Sequence, residues 1–298
     1  MPMRTTTTMP GRRSESSLVL GLIRRDVLTM AGIVIILLFI FVAVFASILA
    51  PYPQEGAGVP NPPNKFLPPS ADHIFGTDYL GRDVLSRIIL GSRVSLTVAV
   101  VVILAAIAIG TPLGAFAGYF GGKVDEGIMR FTDVFLSFPS LLLAIILLAT
   151  LGPGLTNAMI SLSLTWWPWY TRIMRAQAVS LRERTYVEAA KIIGVSNLRI
   201  LLRHILPNAI TPILIQGTMD MSSAILAEAG LSFIGLGAQA PTPEWGLMIS
   251  TGRLYILNYW WFPTFPGLAI FAVAVAFNLL GDGLREILDP KARRFVQA

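Results

Sequence analysis

The sequence predicts an all-α membrane protein with six transmembrane helices and both termini cytoplasmic, and three observations carry that expectation. The first is composition: of 298 residues, 54% are hydrophobic and only 13% charged, where soluble domains carry about 25% charged residues; mean hydropathy is +0.67. The second is the presence of six apolar stretches that reach or approach the roughly 20 residues a helix needs to cross a bilayer. The third is the placement of positive charge. With the N-terminus inside, 18 of the 23 Lys and Arg residues fall on the cytoplasmic side and 5 outside, as the positive-inside rule requires.

The chain divides into a cytoplasmic tail (1–26), a first helix with an outer loop (27–94), a five-helix core (95–288) and a second cytoplasmic tail (289–298). The expected spans are about 27–50, 95–119, 131–151, 157–170, 209–236 and 265–280. The first contains no charge, and its apolar run exceeds the 7–15 residues of a signal-peptide core, so it reads as a retained span. The outer loop begins with a Pro- and Gly-rich irregular stretch (51–69). It ends in a short helix at 81–89, where Asp83 and Arg87 pair at i,i+4 and Val84, Leu85, Ile88 and Ile89 form an interfacial apolar face. That helix reads either as a lid or as a contact for a delivery protein. Pro112, Pro139, Pro168 and Pro212 lie in or near spans and mark bends. Trp166, Trp167, Trp169, Trp260 and Trp261 read as interface anchors.

Between the fourth and fifth spans lies a basic polar segment, 180–207, with its own punctuation. A helical pattern runs to Ile193, with Val187, Ala190 and Ile193 at spacing three and Arg184 able to pair with Glu188. Gly194 ends it by accepting the left-handed conformation, and Ser196 is placed to cap a second helix. Leu198, Leu201, Leu202 and Ile205 run toward the membrane, and Pro207 marks that helix's end. Two short helices meeting at small residues make a rigid knob that passes a push to the attached spans.

Composition also narrows the chemistry. With no Cys, disulfides and thiolate metal sites are excluded. The net charge of +6 is topological, which removes the nucleic-acid reading. His73 and His204 are the only histidines, and they fall on opposite sides of the membrane, so they cannot share a metal; His73 reads as an exposed loop residue and His204 as a packing residue. No nucleophile–base constellation and no GxxxxGK[ST] phosphate loop is present. Three carboxylates lie within spans: Asp133, Asp220 and Glu228. At about 2.5–3.5 kcal/mol each on insertion scales, they face either a translocation pathway or a bonding partner on another helix. Glu228 is the first pathway candidate and Asp220 the second.

Several stretches together resemble the dipeptide, oligopeptide and nickel permease group of ABC importers, in its C-type subunit. They are Phe75-Gly76-Thr77-Asp78-Tyr79-Leu80-Gly81-Arg82-Asp83-Val84; the EAA loop from Glu188-Ala189-Ala190 through Gly194 to His204-Ile205-Leu206-Pro207; Gly230 to Gly237 with Pro241 to Gly246; and Phe277 to Arg285 with Asp289-Pro290. The resemblance covers nearly everything after about residue 20. It implies the type I ABC importer permease fold in a bacterial or archaeal cytoplasmic membrane. It implies a homologous second permease subunit, two cytoplasmic ATPase subunits that bind ATP and Mg, an extracytoplasmic substrate-binding protein and surrounding lipid as partners. This chain would hold no cofactor or metal and perform no catalysis. Glu188, Ala189, Ala190, Gly194, His204, Leu206 and Pro207 would couple it to the ATPases. The solute would be a dipeptide or oligopeptide, with nickel or another peptide-like solute as the alternative. An ion-coupled secondary transporter and a membrane enzyme are the rivals from other classes; the two halves lack the mutual similarity that would favour the former.

Overall fold

The computed structural model describes residues 26–288; the basic residues expected in the two tails, and Asp289-Pro290, lie outside them. Among the described residues every regular element is helical, and the single isolated β-bridge joins Thr77 to Asp83.

Helix α1 (Val27–Val44) begins at Asp26, whose carboxylate accepts the Leu28 amide at 3.0 Å and the Thr29 hydroxyl. That hydroxyl hydrogen bond holds the Asp26 carboxyl below the usual carboxylate range. α1 is apolar all round and leaves most of its large side chains exposed, as a lipid-facing helix does. The C-terminal carbonyls of α1 are satisfied from outside the helix: Arg93 donates from Nε to the Ala43 carbonyl and from Nη2 to that of Val44 (2.7 Å), and Nη1 reaches Ser47 Oγ at 2.9 Å. Arg93 is solvent-exposed. Arg93→Met is therefore expected to cost about 1 kcal/mol, measurable as a lowered unfolding midpoint in detergent.

Helix α2 (Val84–Phe120) runs 37 residues, or about 55 Å at 1.5 Å per residue. The separate helix expected at 81–89 is its first turns. Asp83 caps it, accepting the Ser86 amide and hydroxyl at 2.7 Å each, and also meets His73 Nδ1 at 3.0 Å. Asp83 is thus fully engaged and does not pair with Arg87. Val84 and Ile88 pack inward rather than lying at an interface.

One face of α2 carries Gly110, Gly114 and Gly118. A Cβ on each would lie 2.3, 2.3 and 2.5 Å from the carbonyl oxygens of Trp167, Thr171 and Arg175 on α5 (Leu155–Arg182). Glycine at every fourth position lets the two backbones touch along a shared stripe, the close packing that small residues permit in membranes.

The expected third span, 131–151, is not one helix. It is split into α3 (Gly122–Leu136) and α4 (Ser140–Leu151), bent by 83°. The break falls at Pro139, which lacks an amide donor and pushes the preceding Phe138 out of helical geometry. The fourth expected span, 157–170, is the first half of α5, whose apolar run is interrupted by Arg172 and Arg175 while the helix continues to Arg182. The other elements are α6 (Thr185–Ile192), α7 (Asn197–Ile200), a π-turn at Leu201–Ile205, α8 (Leu206–Phe233), α9 (Trp245–Gly252) and α10 (Trp261–Leu288), with short helical turns at Ala46–Leu49, Pro53–Ala57, Pro62–Asn64 and Arg253–Tyr255. Among the described residues, four helical stretches are long and apolar enough to cross a membrane alone: Val27–Val44, Val84–Phe120, Asn197–Phe233 and Trp261–Ile287. The bent pair makes up to five.

At the end of α2 remote from α6, the stretch 51–69 holds only two short helical turns, as its Pro and Gly content predicts, and the segment leading into α2 is tied down by specific contacts. Phe75 stacks on Phe265 at 4.1 Å and Phe66 on Tyr259 at 4.0 Å, and Trp261 Nε1 donates to the Thr77 carbonyl. Asp78 accepts from the Leu80 and Arg82 amides and, at 2.7 Å, from Arg82 Nε. Gly81, at φ +80°, passes so close to Asn61 that a Cβ would sit 1.7 Å from its carbonyl oxygen.

Candidate coupling site and bundle carboxylates

The 183–207 segment forms a knob at the C-terminal end of α2. Helix α6 closes with paired reverse bonds: the Gly194 amide to the Lys191 carbonyl and the Val195 amide to that of Ala190, 3.0 Å each. This is a Schellman closure with Gly194 at its left-handed position, φ +81°. Val187 and Ala190 face inward, as the periodicity requires. Ile193 does not: it is 78% exposed and Ile192 84%, because the turn at Gly194 swings the end of the helix outward. Glu188 and Ala189 are exposed as well. Arg184 and Glu188 form no ion pair among the described residues; the Glu188 amide donates to the Arg184 carbonyl instead. Ser196 occupies the cap position of α7, but its side chain makes no capping bond.

The second helix does not end at Pro207. It passes through the π-turn into α8, with the Leu206 amide reaching back to the Leu201 carbonyl. Widening to i→i+5 accommodates a proline whose missing donor would break an ordinary turn. Asn208 Nδ2 donates to the His204 carbonyl at 2.7 Å. Ile200, Leu201 and Ile205 pack inward, while Leu198 and Leu202 are exposed. The knob therefore has one face seated on the bundle and one open apolar face. His204 is partly buried, its ring 6.2 Å from that of Tyr186; Leu206 is partly buried and Pro207 exposed.

Residues that the linear pattern does not reveal tie the knob down. Tyr119, near the end of α2, donates its hydroxyl to Asn197 Oδ1 at 2.9 Å, and Lys191 Nζ sits 5.4 Å over the same ring. Arg182 donates to the Gly118 carbonyl. Arg175 holds Asp125 through two bonds of 2.5 and 2.6 Å. These partners lie 50 to 78 residues apart in sequence, so no local spacing signals them.

The three span carboxylates occupy different settings. Asp133 pairs with Arg172 at 2.7 Å, both substantially exposed. Asp220 accepts the Tyr170 hydroxyl at 2.7 Å and Gln216 Nε2 at 2.8 Å, partly exposed between helices. Glu228 is 1% exposed and accepts the Ser232 hydroxyl at 2.6 Å. Ser232 Oγ in turn accepts the Ala238 amide. Glu228 is thus enclosed in packing in this conformation. His73 is likewise not an exposed loop residue but 4% exposed against Asp83. Trp167 and Trp261 are buried in contacts rather than anchored at an interface: Trp167 against Phe131 and Phe135, Trp261 on Thr77. Among the described residues no cluster of His, Cys, Asp or Glu is arranged to hold a metal.

An apolar helical bundle with several helices long enough to cross a bilayer and a half-open knob between two of them is a multi-pass membrane protein, the class to which transport permeases belong. The chain belongs to the family of binding-protein-dependent transport system inner membrane components, whose profile matches residues 110–294; residues 18–69 match the N-terminal TM domain of oligopeptide transport permease C. It is 45% identical over 271 residues to a dipeptide transport system permease protein DppC of Alkalihalophilus pseudofirmus, covering 91% of this chain and 88% of that one. It is 44% identical to the probable D,D-dipeptide transport system permease protein DdpC of Escherichia coli, covering 94% and 93%. The Pseudomonas aeruginosa di/tripeptide transport system permease protein DppC matches at 42%, covering 89% and 88%. The fold is that of a type I ABC importer permease: an inward-facing structure of the MetNI methionine ABC transporter superposes with a TM-score of 0.55 at 17% identity, over 68% of this chain and 97% of that one. This is a transport subunit of the inner membrane rather than an enzyme, and it works with an ATPase and a substrate-binding protein.

Proposed function

We propose that this chain is one permease half of an ATP-driven importer of short peptides, crossing the membrane six times with both termini cytoplasmic. Its complement is a homologous second permease, two ATPase subunits that bind ATP and Mg, and an extracytoplasmic binding protein. The knob carries this reading. Its exposed Ile192, Ile193, Leu198 and Leu202 offer an apolar docking face, while Tyr119 and Asn197 join it to α2 and the unbroken run through Pro207 joins it to α8. Closure of the ATPases pushes Glu188, Ala189, Ala190 and Gly194, and the push travels through His204, Leu206 and Pro207 into α8, which alternates access. The relatives named for dipeptides, D,D-dipeptides and di/tripeptides support the solute class.

The test is affinity purification from the native membrane in mild detergent, followed by reconstitution. A second permease and an ATPase are expected to accompany the chain, and uptake of labelled dipeptide is expected to require ATP. Recovery of the chain alone after crosslinking, with uptake that survives ATP depletion, would transfer the assignment to an ion-coupled transporter.

Among the carboxylates, Asp220 is the best placed to meet a peptide's amino terminus, because it alone combines partial exposure with a position between helices and no cationic partner. Asp220→Asn is expected to reduce uptake several-fold with assembly intact. Glu228→Gln, enclosed beside Ser232, is expected to lower thermal stability more than uptake, and Asp133 to contribute only its exposed pair with Arg172, worth about 0–1 kcal/mol. Equal uptake in wild type and Asp220→Asn would remove Asp220 from the pathway.

A further inference from the structure

At the opposite end of α2 from the knob, a small cleft opens to solvent between the segment leading into α2, its first turns, the loop before α9, α9 itself and the start of α10. Two guanidinium groups line it, Arg82 and Arg87, facing Tyr79, Met248, Thr251 and Phe262. Arg82 is satisfied by Asp78 at 2.7 Å. Arg87 is not. It is 2% exposed, yet Nε and Nη1 have no hydrogen-bond partner. Its Nε lies 3.9 Å from Asp78 Oδ2, beyond a hydrogen bond. Only Nη2 is used, in long bonds to the Pro241 and Thr242 carbonyls at 3.4 and 3.3 Å.

The carboxylates of this region are engaged elsewhere, and none lies within hydrogen-bond distance of Arg87. Asp78 serves Arg82 and two backbone amides. Asp83 serves Ser86 and His73. Glu55 accepts Asn61 Nδ2 and the Asp83 amide. Glu244 caps α9 through the Gly246 and Leu247 amides. A guanidinium cannot shed its charge by deprotonation in a protein; Arg87 shares its one paired carboxylate, Asp78, with Arg82, so two buried cations face one anion, and buried donors without hydrogen bonds are unfavourable. A cation held this way beside a solvent-connected cleft needs an anion from outside the chain.

We propose that this cleft is a carboxylate-binding site with Arg87 as the anion-holding group. The ligand's carboxylate accepts from the free N–H donors of Arg87, a charge-assisted bond of the strong class. Its carbon body lies along Met248 and Phe262, which selects an organic acid over a bare inorganic ion. Either a free short-chain acid or the C-terminus of a short peptide supplies this chemistry. The site stands whichever solute the protein transports.

The experiment follows thermal unfolding by tryptophan fluorescence, which Trp245 and Trp261 make sensitive to this region, on the chain purified with its accompanying subunits in mild detergent. Propionate is titrated against propionamide at ionic strength held constant with a bulky sulfonate. Propionate is expected to raise the melting temperature saturably and propionamide to leave it unchanged. Arg87→Gln is expected to need at least about ten-fold more propionate for the same response. Thr251→Glu, which places a carboxylate in the cleft, is expected to remain folded and lose the response. A wild-type protein that ignores propionate, or an undiminished response in either variant, overturns the site; if Arg87→Gln does not fold, Thr251→Glu decides alone. Ala-Ala compared with its C-terminal amide identifies the source: a response to Ala-Ala stronger than that to propionate points to a peptide terminus, and an equal one to any short acid. ATP-driven uptake is scored separately, so loss of this site leaves the importer assignment intact.

Discussion

Gly114→Leu is expected to abolish accumulation of folded protein, and Gly114→Ala to lower the melting temperature sharply. The reason is geometric. A Cβ at 114 would stand 2.3 Å from the Thr171 carbonyl oxygen, with Met174 Cβ at 2.8 Å and the Arg175 amide nitrogen at 2.9 Å on the same side. Two of those three are backbone atoms of a helix and cannot rotate away. The α2–α5 pair must separate along its whole stripe, since Gly110 and Gly118 are held in the same way. Overpacking of ordinary side chains costs about 1–3 kcal/mol, and a backbone contact that cannot relax should lie at or above the top of that range. Gly127→Ala is the control. Gly127 lies within α3 with nothing inside 4 Å of its would-be Cβ, so alanine there should be neutral or gain up to about 1 kcal/mol from helix propensity. Size-exclusion profiles and melting curves in detergent check both. Similar losses at 114 and 127 would mean that the stripe is not what holds the bundle.

Gly194→Val is expected to uncouple transport while leaving the bundle almost unperturbed. Here nothing lies within 4 Å of an added Cβ, so sterics with neighbours do not enter. What matters is φ +81°. A left-handed residue with a side chain costs about 1–2 kcal/mol, and more when β-branched. That corresponds to a roughly five- to thirty-fold fall in the population that keeps the Schellman closure. Without it, Ile192 and Ile193 no longer hold their orientation relative to Leu198 and Leu202. Peptide uptake per ATP hydrolysed should fall, or the ATPase should fail to co-purify, while the melting temperature moves little. Asn, which tolerates the left-handed region, should restore much of the function. If Val and Asn behave alike, backbone conformation at 194 is not the determinant.

The contrast between these two glycines shows how much could be read from the chain alone. Gly194 was legible because a helix stop is a local event: the pattern before it, Ser196 after it and the conformational preference of glycine all lie within ten residues. Gly114 was not. Its role depends on Thr171 and Met174, and nothing in 110–118 says which helix will lie against it. The break at Pro139 was visible as a bend but not as an 83° fold-back, since proline removes a donor without dictating where the next helix goes. Asp83 and Arg87 show the reverse failure. Their i,i+4 spacing is correct for a pair, yet His73 and Ser86 reach Asp83 from positions that local spacing ranks no higher.

Hydropathy, charge asymmetry and the helix punctuation at Gly194 made the class of protein, most of its apolar helices and the helix stop in the 180–207 segment readable from sequence, because each depends on transfer into lipid or on backbone conformation, both properties of short stretches. Which helices touch, which face of the knob stays open, why Glu228 is enclosed while Asp220 is not, and why Arg87 keeps two donors without hydrogen bonds were settled by packing between elements of the closed bundle. Such contacts form only when the whole bundle closes, and each is decided by competition among partners that no local pattern encodes.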